Sequence, residues 1–207
     1  MLEQQWWCSS APRDTAPSSV VGSSALCPPP PRFQSAEGVR SAWAVASGPF
    51  GRTPTLRGRS AAQKGGIRYE RKVQSALAAE YGRHFLPSAW FQFLTKESDL
   101  RRWCQLDGLV RHRDQAGDES VVLFEVKTHF TSDAWWQLRK LYEPVVRAAF
   151  SPKHVVLVVI CKHFDPSVAF PESYELVDKD PAPFLKGAVT PEGRWFTGAI
   201  RVLPWRL

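Results

Sequence analysis

Cysteine is scarce in this chain, and the four that occur, Cys8, Cys27, Cys104 and Cys161, lie far apart. None forms a CxxC pair or stands at zinc-ligand spacing from a histidine, which argues against a zinc site or an iron–sulfur cluster. Two fall in a Pro/Ser-rich leader and two in apolar, strand-like runs, so buried free thiols in a reducing cytosol are the simplest expectation. Long hydrophobic runs are also missing. SVVLFEV and HVVLVVIC are the longest, well short of the ~20 residues that span a bilayer. The opening MLEQQWWCSSAPRD lacks a basic segment followed by an apolar one, the pattern of a secretory signal. These absences predict a soluble, cytoplasmic protein without a membrane partner.

What is present divides along the chain. Residues 1–60 hold eight prolines, ten serines and five glycines with no sustained periodicity, a composition that buries too little apolar surface to offset its conformational entropy. Residues 1–64 are therefore expected to be a disordered or low-complexity leader, with Trp43, Val45 and Phe50 able to pack as a short arm. Residues 65–165 read as a single folded core, and residues 166–207 as a C-terminal extension packing on it. The 207 residues suit one domain of ordinary size. The net charge of +7 and pI near 9.5 are compatible with a polyanionic partner, although a solvated basic surface explains them equally well.

From Gly66 to Tyr81, Ile67, Glu70, Val73, Leu77 and Tyr81 recur at helical spacing without a proline, predicting an amphipathic helix with Glu70 on its apolar stripe. A carboxylate there is costly unless paired. Residues 89–95, 103–111 and 120–128 read as strands, the last two forming an antiparallel hairpin across HRDQAGDE. Ser132-Asp133 is a candidate N-cap for the helix that follows, which Pro144 should kink or interrupt. KHVVLVVIC at 153–161 has the continuous apolar character of a strand buried on both faces. Residues 165–193 read as loop, and 194–205 as a final edge strand. The order predicts an α/β fold with a mixed central sheet flanked by helices.

The chemistry concentrates in the predicted hairpin. Strand alternation puts Glu125 and Lys127 on one side, with Val122, Phe124 and Val126 on the other. An acid and an ammonium two residues apart in a run of Val, Leu and Phe are both costly unless they meet a metal, each other or a phosphate. Asp107 on the neighbouring strand can face Glu125. Two such carboxylates repel, a repulsion that a hard divalent cation such as Mg²⁺ or Mn²⁺ relieves, and a lysine beside them can orient or deprotonate a water.

With Asp107-Gly108, then Glu125-Val126-Lys127, a helical Glu70 before them and a helix bearing Gln137 after them, residues 65–165 resemble the PD-(D/E)XK nuclease superfamily, particularly its RecB-like and phage-encoded branches. The resemblance implies a restriction-endonuclease-like core and Mg²⁺-dependent hydrolysis of DNA phosphodiester bonds, Mn²⁺ being a possible substitute. It implies that Asp107, Glu125 and Glu70 hold the metal, that Lys127 positions the attacking water and that Gln137 approaches the phosphate. If the chain is phage-encoded, its compartment is the host cytoplasm. Two departures stand out. Leu106 replaces the motif's usual proline, and four residues separate Gln137 from Tyr142 where the RecB-like branch usually has three. On an α-helix, at about 100° per residue, that extra position turns Tyr142 away from Gln137.

Arg68, Arg71, Lys72, Arg139, Lys140 and Tyr142 are candidate DNA contacts, each also readable as a solvated or core side chain. His129 reads as a structural or solvated histidine, and Trp135 and Trp136 as core residues before stacking ones. The competing function is a catalytically silent nuclease-fold module that binds nucleic acid or assembles with partners. A further alternative is an unrelated α/β protein in which Glu125 and Lys127 form an ordinary ion pair. Oligomeric state is not encoded in any of these signals.

Overall fold

The computed structural model describes residues 19–20, 35–46, 58–113, 117–177 and 198–207. The centre of the molecule is β8 (His154–His163), whose apolar run lies parallel to β7 (Glu119–His129), Val158 opposite Phe124 and Val159 opposite Glu125. β7 pairs antiparallel with β6 (Gly108–Arg113), and β6 with β3 (Phe85–Pro87). Beyond β8 come β10 (Ile200–Pro204), β9 (Tyr174–Leu176) and β1 (Ser19–Val20), giving a mixed seven-stranded sheet ordered β1-β9-β10-β8-β7-β6-β3.

Alternation along β7 and β8 divides the core into two layers. Val122, Phe124, Val126, Val156, Val158 and Ile160 point to the face covered by α1 (Ala61–Tyr81), which buries Tyr69, Val73, Leu77 and Tyr81. Val121, Leu123, Leu157, Val159 and Cys161 point the other way. Their cover is the connection from β7 to β8: α2 (Asp133–Trp135), a π-helical segment Trp136–Tyr142 and α3 (Glu143–Phe150). A second, three-stranded antiparallel sheet joins this layer, ordered β2 (Val39–Val45), β4 (Trp90–Thr95), β5 (Ser98–Gln105), and inserts Phe91, Phe93 and Cys104. The expected mixed sheet with helices on both faces is present. Among the described residues no helix is long and apolar enough to cross a membrane.

Several boundaries differ from the sequence expectation. The leader is not uniformly without structure: residues 35–46 supply β2, and Ser60 caps α1 through a reciprocal capping box with Gln63, so the helix begins five residues before Gly66. The run 103–111 is two strands, because the chain leaves one sheet after Gln105 and enters the other at Gly108. β9 forms within the stretch expected as loop, and β10 is interior, held between β8 and β9, where an edge strand was expected. Ser132 makes no side-chain cap, its backbone already being helical. Phe50 lies outside the described residues.

Pro144 acts in an unexpected way. It sits at the start of α3, directly after the π-helical turn, so the helix widens there and continues. Its missing N–H leaves the Lys140 carbonyl without the i+4 donor it would otherwise have, and the Ala36 N–H donates to that oxygen at 2.7 Å. The supposed leader thereby satisfies a group that proline frees.

Candidate active site

Asp107 occupies the bend between β5 and β6, opposite Glu125 of β7, since Gly108 pairs with Phe124. The bend is fixed from several sides. The Ser88 N–H donates to the Asp107 carbonyl at 3.2 Å, and the Val126 N–H donates to the Asp107 carboxylate at 2.8 Å. Gly108 is favoured by contact: a Cβ there would lie 2.8 Å from the Phe85 ring.

Glu125 projects from β7 into the apolar layer and is 1% exposed. One carboxylate oxygen meets the Lys127 ammonium at 2.5 Å, while Oε2 has no hydrogen bond of acceptable geometry, although the Tyr142 hydroxyl approaches the same carboxyl group. Burial first, and then the Asp107 charge, push the Glu125 pKa up to about 8, against the opposing pull of Lys127. Asp107 is raised for the same first reason, with the Val126 N–H and Lys127 opposing. Burial pulls Lys127 down, but Glu125 and Asp107 outweigh it, so the ammonium is held above its ordinary value. Lys127 also donates to the Gln137 side-chain oxygen at 2.6 Å. Asp107, Glu125, Lys127, Gln137 and Tyr142 thus share one centre.

The π-helical turn explains how Gln137 and Tyr142 both reach it. Bonding from residue i to i+5, seen where the Glu143 N–H donates to the Leu138 carbonyl, brings residues five apart over one another. The expectation that Tyr142 turns away assumed α-helical rotation. Tyr142 is 4% exposed, and burial, then Glu125 and Asp107, push its phenol well above the ordinary value. It is therefore no surface contact for DNA.

Glu70 stands at the margin. Half-buried on α1, it accepts from Gln74 Nε2 at 3.2 Å, and its pKa is raised by burial and then by Asp107. Gln74, which the sequence reading missed, also donates to Ser88 Oγ at 3.1 Å and to the Asp107 carbonyl at 2.8 Å, tying α1 to the Asp107 bend. Its spacing of four from Glu70 was the available signal. Among the described residues no three His, Cys, Asp or Glu side chains form a group able to hold a metal, so Glu70 does not complete the expected three-carboxylate set in this arrangement. Asp107 and Glu125, whose Oε2 has no well-formed hydrogen bond, nonetheless suit a hard cation that takes one or two carboxylates and fills its other positions with water and phosphate.

The basic candidates separate into two groups. Arg68, Arg71 and Lys72 are exposed on α1, and Arg71 and Lys72 line an open depression of about 510 Å³ with Ser75, Ala76 and Leu207. Arg139 is engaged by Glu143 and Glu172, and Lys140 by Glu37, so neither presents a free cation to DNA. Trp135 is packed in the core and Trp136 half-buried against it. His129 is exposed, stacked on His163 at 5.0 Å. Comparison of the chain with models of protein families, with curated proteins and with solved structures finds no match.

Proposed function

We propose that the chain is a Mg²⁺-dependent nuclease that hydrolyses DNA phosphodiester bonds. The observation that carries this reading is a fully buried Glu125, flanked by Asp107, approached by the Tyr142 hydroxyl and paired with a Lys127 that touches both Glu125 and Gln137. No apolar core gains from such a group. Asp107 and Glu125 would hold the ion, which when bound supplies positive charge against the phosphate oxygens and acidifies water. Glu125 and Gln137 fix the Lys127 ammonium, which can then orient a water beside the carboxylates. Tyr142 closes the apolar side of the centre, and the Val126 N–H holds the Asp107 carboxylate in place. DNA is the proposed partner.

The catalytically silent nuclease-fold module remains a second reading, favoured by the lack of a ready-made three-ligand group among the described residues. Incubation of the purified protein with linear, circular and single-stranded DNA, with and without Mg²⁺, separates the two. Cleavage that needs Mg²⁺ and falls by roughly 10²–10⁴-fold in Lys127→Ala supports the enzyme. Substrate left intact in every condition, or cut equally by the variant, removes it.

A further inference from the structure

The three-stranded sheet buries one face, no helix among the described residues covers the other, and three of the chain's tryptophans lie on that outer face. Register fixes this placement. Phe91, Phe93 and Cys104 enter the core, so alternation turns Trp90 and Gln92 of β4 outward, together with their cross-strand partners. Trp43 of β2 and Trp103 of β5 both pair with Gln92, forming one row, while Trp90 sits between Val45 and Gln105 in the next. Strand spacing puts Trp43 and Trp103 about 10 Å apart, with Trp90 roughly 7 Å further along the sheet.

These indoles are not explained as core. Trp43 is 36% exposed, and Trp90 and Trp103 are half-buried. None of the three makes a ring contact with another described residue. Between them Gln92 is 7% exposed, yet its amide has no hydrogen bond to a described residue. Its polar atoms are not among the buried ones without a partner, so the amide keeps its donors and acceptor open to solvent between two aromatic faces, an arrangement suited to a planar polar guest.

Charge and position narrow the guest. Arg101, two residues before Trp103, and Lys96, at the β4–β5 turn, are exposed and form no ion pair with a described residue, on a chain of net charge +7. The row holding Trp90 and Gln105 is the one nearest the centre, because Gln105 precedes Asp107 by two residues and the Leu106 N–H donates to the Ala89 carbonyl at 2.9 Å. Bases stack on aromatic side chains only when unpaired, and every base has such a face, whereas blunt duplex offers none along its length.

We propose that the outer face of the three-stranded sheet is a stacking platform for single-stranded nucleic acid, with Trp43, Trp90 and Trp103 receiving successive bases and Gln92 reading a base edge. Its link to catalysis rests on the nuclease reading: the platform would lead an unpaired strand or frayed end toward Asp107.

The test is binding of a labelled oligothymidylate of about 15 nucleotides, a length covering one site of this kind, by fluorescence anisotropy in EDTA, beside a blunt duplex of equal length. The full chain is expected to prefer the oligonucleotide, with quenching of tryptophan emission. Trp43→Ala and Trp103→Ala should each weaken it by roughly 5- to 100-fold, and Trp43→Phe should keep most of the affinity because a ring face remains. Arg101→Ala, which removes no packing, should weaken it several-fold and lower the salt dependence. Unchanged oligonucleotide affinity in both alanine variants and in Arg101→Ala, or tighter binding of the duplex independent of the indoles, overturns the platform. The cleavage assay is read separately. Indole-dependent binding without Mg²⁺-dependent cutting would refute the nuclease and leave the platform standing, whereas Lys127-dependent cutting indifferent to the indoles would refute the platform alone.

Discussion

At the residue scale, the proposed chemistry turns on Glu125, and its environment predicts a pH dependence. Its folded pKa is raised to about 8, from 4.5 as the reference for the unfolded chain. A raised acid favours the folded state through its protonated form, so that contribution is complete below about pH 4.5 and disappears as pH climbs through about 8. In EDTA, stability measured by urea denaturation should therefore fall between about pH 5 and 8. Glu125→Gln should flatten that fall, and Mg²⁺ should reverse it in the wild type while having little effect on the variant. A curve identical in the two proteins would mean that Glu125 ionises freely. Gly108 makes a second residue-scale prediction: Gly108→Ala drives a methyl group into the Phe85 ring, 2.8 Å away, and should cost about 1–3 kcal/mol in the same assay.

At the element scale, β2 is the finding with the clearest structural consequence. It pairs with β4, packs beside α3, and brings Ala36 to the carbonyl that Pro144 leaves open. A chain beginning at residue 57 should therefore melt lower than the full chain by about 5 °C or more, and lower than one beginning at residue 33, which loses the two-residue β1 but keeps β2; equal melting temperatures for those two shortened chains would make β2 dispensable. The composition of residues 1–60 hid this strand, because proline and serine density is an average and β2 is seven residues inside it. The legible elements were those whose burial is written in their own pattern: α1, β7 and β8. The π-helical turn was not legible, since the spacing of Gln137 and Tyr142 is interpretable only once the rotation per residue is known. Nor could the split of 103–111 be read, because both halves look like strand and only the sheet partners differ. Within the candidate site, Asp107, Glu125 and Lys127 were identifiable as misfits in apolar strands and Gln137 only through the resemblance, whereas Gln74 went unread because its one signal, a spacing of four from Glu70, is common on helices.

At the scale of the whole molecule, the net charge of +7 overstates what is free to meet a polyanion. Arg139, Lys140, Arg147 and Arg111 are already bonded to Glu143, Glu172, Glu37 and Glu119. DNA affinity should weaken as salt rises, and Arg71→Ala or Lys72→Ala should each reduce the slope of log affinity against log salt by about one if it contacts a phosphate. Lys140→Ala should leave that slope unchanged. A slope lowered by Lys140→Ala as much as by Arg71→Ala would show that the Glu37 pair opens on binding.

The bend at Leu106–Asp107 joins the two sheets, so the carboxylate that faces Glu125 lies between the last residue of β5, Gln105, and the first of β6, Gly108. Clamped by the Ser88 and Val126 N–H groups, that joint makes the two sheets a single frame, so a change in the packing of the smaller sheet is passed on to the spacing of the acidic pair.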